Sequence, residues 1–529
     1  MTQNLRSRWP TVGVVLKMHA RHFPDQLGCQ DKYKSFTFKE WNERACRLAN
    51  ALREAGVGYG ERVAILSYNR VEWMDIYAAC AKGGQIAVPV LFRLAAPEIE
   101  YLINHSESKA FIVEAPFVET VDKIRDKLPT VSTFIYLGEG KAPAGYIGYE
   151  EFLSRGKPEE PPVIVDAADP WTLLYTSGTT GKPKGVLRTH ESYLAHYLLN
   201  NVNMGVRPTD KPLLVMPMCH VNSIYYSFCY TYVSAPVMVY NVVSFDPEDL
   251  LKTIAEYKIT FTSLVPTHYV MILSLPEEVR NKYDVSSIRQ LLISSAPARK
   301  ELKLAIMDYF KNAELWEAYG STESGLVTLL RPEEQLTKLG SIGREIFGID
   351  EVKLLDEQGN EVPVGEVGEL WARTPHVFKE YWKDPEKTQS AFRGEWFSPG
   401  DMAKKDQDGY YYLVDRKANM IITGGENVYP SEVENVVAQH PAVKEVAVIG
   451  VPDPKWGEAV KAIVVLKEGY QPGEELANEI MEFCRGKIAG YKRPKSVDFI
   501  PEEEMPRTAT GKILHRVLRE RYGKWSDAV

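Results

Sequence analysis

Between Thr176 and Val186 the chain reads Thr-Ser-Gly-Thr-Thr-Gly-Lys-Pro-Lys-Gly-Val. Glycines let backbone N–H groups turn inward, hydroxyls add donors, and lysines add positive charge, so this composition suits a polyphosphate. Thr176, Ser177, Gly178, Thr179, Thr180 and Lys184 are therefore candidate phosphate-binding residues. The loop is not a Walker A motif, which needs four residues between its glycines and then Lys-Ser/Thr. Here only Thr179 and Thr180 separate Gly178 from Gly181. On composition alone a surface turn remains open.

Further constellations follow in order. Ser294-Ser295-Ala296-Pro297 precedes Tyr319-Gly320-Ser321-Thr322-Glu323, which taken alone is five common residues in a turn. Asp401 follows a Gly turn, where a carboxylate can accept from both hydroxyls of a sugar, and Arg416 comes shortly after it. Near the end, Pro506-Arg507-Thr508-Ala509-Thr510-Gly511-Lys512 could bring one compact positive charge to a reaction centre. Taken singly, each is an ordinary turn or surface charge.

Taken in this order, the motifs resemble those of the adenylate-forming enzymes: acyl-CoA synthetases, peptide-synthetase adenylation domains and beetle luciferases. The resemblance covers essentially the whole chain and favours the acid–CoA ligase branch. It implies that Thr322 bonds the α-phosphate, Glu323 holds Mg²⁺, and Tyr319, with Gly320, Ser321 and the Ser295-Ala296-Pro297 turn, frames the adenine. Asp401 and Arg416 would take the ribose, and Lys512 would be the catalytic lysine between carboxylate and α-phosphate. His220 matches a family histidine beside the substrate carboxylate, with a core histidine as the alternative. The sequence departs from the family at Ser294-Ser295 (usually Gly-Gly), Pro399 (usually Thr), Asp415 (usually Gly) and the hinge Ala418 (usually Asp or Lys). The chemistry implied joins a carboxylate to an anionic phosphate, so Mg²⁺, Lys184, Lys512 and loop N–H groups would offset the repulsion.

The implied acceptor is coenzyme A. Gly424 and Gly425 resemble the loop lining the thiol channel. Trp456, Tyr491, Arg493 and Lys495, with Arg93, resemble the aromatic and basic surface for the CoA nucleotide, a solvated basic turn being the alternative. An adenylation domain serving a carrier protein, a luciferase-like oxygenase and a non-enzymatic ATP-binding module are the competing readings. His220 stands where an amino-acid-activating enzyme places an Asp. The segment Val221–Ala235 is expected to form one wall of the acid pocket, opposite Ser294–Pro297. It has no formal charge, and its aromatics Tyr225, Tyr226, Phe228, Tyr230 and Tyr232 could be either lining or core. These features point to a neutral-tailed monocarboxylic acid of small to medium size.

The elements that must position these groups alternate between strand and helix. Apolar strands are expected at 62–66, 85–90, 109–113, 171–175, 213–216, 237–240, 260–265 and 290–294, with helices near 71–81, 97–104, 190–200, 246–257 and 299–310. Thr37-Phe38-Lys39-Glu40 is a capping box opening a helix with apolar positions Trp41, Ala45, Leu48 and Leu52. Past about residue 335, glycine-dense short strands give way to a last βα unit. The expected fold is α/β: a large N-terminal domain (1–417) of parallel sheets covered by helices plus a small β-barrel, and a small mobile α+β C-terminal domain (418–529).

The 529 residues are too many for one core, and the net charge of −8 gives no electrostatic reason to expect nucleic acid or an anionic membrane as partner. No signal peptide or peroxisomal address is expected. The charge-free stretch 212–245 is broken by Pro217, His220, Asn222 and Pro236, leaving no run of ~18 apolar residues, and reads as buried strand, helix and strand. Six scattered cysteines without a C-x-x-C pair read as reduced cytoplasmic thiols. The resemblance is compatible with a homodimer without fixing the oligomeric state.

Overall fold

The computed structural model describes residues 9–176, 183–294, 298–423, 426–454, 456–508 and 511–523. The chain divides into two compact units, Met1–Glu351 with Ala372–Phe397, and Val352–Trp371 with Ser398–Val529. The boundary expected between 417 and 418 lies in the second unit, at the 3-10 turn Lys417–Asn419.

The first unit is built on two large sheets. In one, the strands Val237–Val239, Pro212–Leu214, Phe261–Leu264, Gln290–Ile293 and Glu314–Ser321 run parallel in that spatial order. Antiparallel Gly325–Leu330 then pairs with Glu314–Ser321. In the other sheet, Ser108–Glu114, Arg62–Leu66, Ile86–Val90 and Pro170–Thr176 are parallel, and Lys184–Thr189 folds back antiparallel onto the last of them. The strand Lys184–Thr189 was not among the expected elements; the glycines and lysines at its start hid it within the loop. The charge-free stretch forms strand Pro212–Leu214, helix Val221–Thr231 and strand Val237–Val239, as expected. No helix among the described residues is long and apolar enough to cross a membrane.

Helices cover these sheets because their apolar stripes match the spacing of the core. In Phe38–Glu54, the Thr37 hydroxyl accepts from the Glu40 N–H at 3.2 Å, and the Glu40 carboxylate accepts from the Thr37 N–H at 2.8 Å. The same helix buries Trp41, Ala45, Leu48 and Leu52 completely. At the centre of the first unit Trp171 meets three helices at once. Its ring is edge-on to Tyr77, Tyr193 and Phe228 at 6.1, 5.0 and 5.2 Å between centroids and stacks on His190 at 5.4 Å. Its indole N–H donates to the Tyr77 carbonyl at 2.9 Å.

The glycine-dense region of the second unit forms antiparallel strands, among which Asp401–Lys405 pairs with the following Tyr411–Arg416. The C-terminal part is a five-stranded sheet in which Gly457–Leu466 lies between antiparallel Val443–Asp453 and parallel Ser496–Phe499. Alternate residues face opposite sides, as the two-residue period of a strand requires. Val448, Val460 and Val464 pack with Val433 and Ile480 on one face. Ile449, Ile463 and Val465 pack with Ile500 and Leu518 on the other. The helix His515–Tyr522, which carries Leu518, was not among the expected elements.

Because Trp171 ties one sheet to three helices, Trp171→Ala is expected to lower stability by about 3–5 kcal/mol. The shift of the urea unfolding midpoint measures this, and a shift equivalent to less than about 1 kcal/mol would contradict its role as the hub.

Candidate active site

In open parallel sheets, ligands bind outside the carboxyl ends of the strands. The expected site residues of the first unit collect there. His220 follows the strand Pro212–Leu214, Ser294 follows Gln290–Ile293, and Tyr319 to Glu323 occupy the end of Glu314–Ser321 and the turn after it. From the second sheet come Thr176, the last residue of its strand, and Lys184, paired with it across the ladder. Arg93 follows Ile86–Val90. Ser177, Gly178, Thr179, Thr180, Ser295, Ala296 and Pro297 lie outside the described residues.

The two sheets meet at Lys184 and Glu323. The Lys184 ammonium lies 2.8 Å from Glu323 Oε1 and donates to the Tyr381 hydroxyl at 2.7 Å. Tyr381 in turn donates to the same Oε1 at 3.1 Å. Both cationic and phenolic donors thus converge on one carboxylate oxygen. The chain turns sharply before Glu323: a Cβ at Gly320 would come within 2.0 Å of the Gly325 carbonyl oxygen, so only glycine fits that position. Tyr319 is buried at this bulge, and Ser321 bonds the Ser324 hydroxyl at 2.9 Å.

Beneath this group lies Arg188, on the same face of its strand as Lys184 and fully buried. Its guanidinium donates to the carbonyls of Thr322 and His376, both at 2.6 Å, and lies over the rings of Tyr193 and Tyr225 at 4.8 and 5.4 Å. His196 stacks on Tyr225 at 3.8 Å. Burial, then the nearby Arg188 charge, push His376 down to about 3, so it adds no second cation.

His220 begins the helix Val221–Thr231, and its Nε2 is buried without a hydrogen-bond partner among the described residues. Burial and then the Arg93 guanidinium push its pKa down to about 4, so the imidazole is neutral at physiological pH. The His268 pKa is likewise pushed down to about 4, by burial and then by the Arg93 charge. Next to His220, the Cys219 thiol is buried and raised to about 12, chiefly by that burial. The aromatics of the expected wall divide. Tyr226 and Tyr230 pack on Phe261, and Phe228 packs on Trp171, so these three belong to the core. Tyr225 lies against His196 and Arg188, and Tyr232 bonds the Pro10 carbonyl.

In the second unit, Asp401 and Arg416 face each other across their ladder, with Arg416 Nε 2.6 Å from Asp401 Oδ1. Lys512 sits on a tight loop, its N–H bonded to the Thr508 hydroxyl at 3.1 Å and Gly511 at φ +83°. Lys512 is solvent-exposed, and its pKa is lowered by partial desolvation and then by the Arg416 charge, while Asp401 opposes this. The three side chains of the expected ribose and lysine sites therefore act on one another. Asp415, the departure from glycine, accepts from the Ser431 N–H at 2.9 Å, at the start of helix Pro430–Val437. The Ala418 carbonyl accepts from Arg519 at 2.8 Å. Trp456 and Tyr491 are exposed. Trp456 precedes the strand Gly457–Leu466, and Tyr491, Arg493 and Lys495 precede Ser496–Phe499, which pairs with it. Gly424 and Gly425 lie outside the described residues.

The sequence matches the family described as AMP-binding enzyme over residues 16–382, and the AMP-binding enzyme C-terminal domain over 432–512. It is 35% identical to a feruloyl-CoA synthase of Amycolatopsis sp. over 509 residues, covering 95% of this chain and 97% of that one. It is 38% identical to a long-chain-fatty-acid–CoA ligase of Mycobacterium tuberculosis, covering 92% and 93%. A crystal structure of an anthranilate CoA ligase in complex with anthranoyl-AMP superposes with a TM-score of 0.86, at 30% identity and over 98% of both chains. The chain belongs to the AMP-binding enzyme family. As a member of its CoA-ligase branch it is an AMP-forming acid–thiol ligase that uses ATP, Mg²⁺ and coenzyme A.

The residues present fit that set. Glu323 offers a buried carboxylate whose Oε1 is fixed by two donors, the kind of outer support that orients a ligand for a hard cation. Sequence reasoning missed Arg188 and Tyr381. Arg188 could have been found from its spacing, since it lies four residues after Lys184 on one strand face. Tyr381 reaches Lys184 across 197 residues of sequence, and no local pattern signals that.

Because His220 is neutral above about pH 4, it does not titrate in the working range. His220→Ala should lower kcat/KM while leaving the shape of its pH profile unchanged from about pH 6 to about 9. Loss of an ionisation near neutrality in the variant would contradict the buried, neutral imidazole.

Proposed function

We propose that this AMP-binding enzyme activates a neutral-tailed monocarboxylic acid of small to medium size and transfers its acyl group to coenzyme A. The observation that carries the reading is the Lys184–Glu323 pair at the strand ends, with His220 opening the charge-free segment Val221–Ala235 at the end of another strand of the sheet that carries Glu323. Burying a second charge against such a wall would be costly without a partner.

In the first step a carboxylate oxygen attacks the α-phosphorus of ATP and pyrophosphate departs; in the second the CoA sulfur attacks the carbonyl carbon and AMP departs. Thr176, Lys184 and the loop 177–182 bind the phosphates, and the Thr322 hydroxyl donates to an α-phosphate oxygen. Tyr319, Gly320, Ser321 and the turn 295–297 hold the adenine, and Asp401 with Arg416 holds the ribose. Glu323 holds Mg²⁺, which when bound offsets the charge of the phosphates. Neutral His220 orients the carboxylate, its buried Nε2 having no hydrogen-bond partner among the described residues. Lys512 neutralises charge between carboxylate and α-phosphate. The CoA nucleotide is met by Arg93, Trp456, Tyr491, Arg493 and Lys495, and its thiol passes Gly424 and Gly425. Domain 418–529 pivots at Ala418 between the two steps.

AMP formation from ATP and CoA with a panel of acids tests the reading. Benzoate-sized and medium-chain acids are expected to exceed palmitate and succinate in kcat/KM; a clear preference for either of the latter would overturn it. The two steps should also separate by mutation. Lys512→Ala should cut acyl-adenylate formation by about 100-fold or more, while transfer from supplied acyl-AMP to CoA stays within about tenfold of the wild type. Equal loss of both steps would rule out a lysine that acts only on phosphate and carboxylate.

A further inference from the structure

At the carboxyl ends of the parallel strands, three polar side chains from three elements meet. Asn222 Nδ2 donates to Ser263 Oγ at 3.0 Å and to Ser294 Oγ at 3.2 Å, and the two serine hydroxyls lie 3.2 Å apart. Asn222 is on the second residue of the helix after His220, Ser263 is in the strand Phe261–Leu264, and Ser294 is the first residue of the expected opposite wall. The two segments expected to wall the acid site therefore touch through this cluster.

A donor count shows what the cluster has left to give. Asn222 contributes two N–H donors and each serine one O–H. Both N–H groups go to the serines, and one O–H closes the contact between them, leaving one serine O–H and the Asn222 carbonyl oxygen without a side-chain partner among the described residues. The reverse amide orientation would satisfy only the two Asn–Ser contacts, so the network selects this one. Ser263 and Ser294 are buried, whereas Asn222 is partly open. In the helix Val221–Thr231, Val221 and Asn222 are the only residues that are not buried. Asn222 is thus the one polar side chain that this helix presents at the strand ends.

We infer that Asn222, Ser263 and Ser294 form a specificity site for a hydroxyl group on the tail of the acid. A hydroxyl both donates and accepts, and so matches the carbonyl oxygen and the O–H left by the count. A bare hydrocarbon tail leaves this polar cluster without a partner, a cost that discriminates against it. The inference rests on the ligase reading above and specifies its substrate as a hydroxylated, uncharged-tail acid.

The test compares 4-hydroxybenzoate with benzoate, and 4-hydroxycinnamate with cinnamate, by AMP formation with ATP and CoA. The wild type should favour the hydroxylated member of at least one pair by about tenfold or more in kcat/KM. In Asn222→Leu and in the double variant Ser263→Ala, Ser294→Ala, that ratio should fall towards unity, with the larger share of the change in KM for the hydroxylated acid. Isothermal titration of the hydroxylated acid into each variant in the absence of ATP reports the same loss without turnover. AMP formation by the wild type with equal preference within both pairs, or variants that keep the ratio, would overturn the specificity site while leaving the ligase reading intact. No AMP formation with any carboxylic acid would instead overturn the ligase reading itself.

Discussion

A guanidinium without access to water organises the centre of the first unit. Removing a cation from water costs several kcal/mol unless other groups replace its hydration. For Arg188 those groups are two backbone carbonyls and two aromatic faces, with no carboxylate bonded to it among the described residues. The carbonyls belong to Thr322 and His376, so a single side chain ties the strand of Lys184 to the turn that presents Glu323 and to the segment leading to Tyr381. The ion pair above it follows from this placement. Were the charge paired with an acid instead, the backbone would lose two of its anchors.

The same economy of charge runs through the site. The neighbouring histidines, His196, His220 and His376, are all shifted towards the neutral form, chiefly by burial. The positive charge near the strand ends therefore rests on Lys184, Arg188 and Arg93. Neutral imidazoles leave hydrogen bonding and shape as the means of placing the acid.

The chemistry was more legible in the sequence than the architecture that supports it. The motifs at 176–186, 319–323, 401 and 512 are short and contiguous, so their residue types could be read directly. The strands and helices of the parallel sheets followed from apolar periodicity, to within a few residues at their ends. What escaped were pairings made across the chain: Tyr381 with Lys184, Arg188 with Thr322, and Asn222 with Ser263 and Ser294. The five aromatics of 225–232 show the same limit. Their composition is visible in the sequence, but only packing shows that Tyr225, Tyr226, Phe228 and Tyr230 are buried in one core, Tyr225 also lying against Arg188, while Tyr232 is only partly buried. At Asp415 the departure from glycine supplies a carboxylate at a helix start, a gain that depends on a partner sixteen residues on.

The burial of the cysteines has a consequence for an enzyme whose second substrate is itself a thiol. An acyl adenylate is a reactive anhydride, and any thiolate within reach would compete with coenzyme A and leave the protein acylated on its own sulfur. Cys219 adjoins His220, the residue nearest the carboxylate in the proposed site. Its sulfur stays protonated because burial raises its pKa to about 12, and the other five cysteines are buried as well. The chain thereby protects its intermediate from itself, and the incoming cofactor meets no rival nucleophile of its own kind.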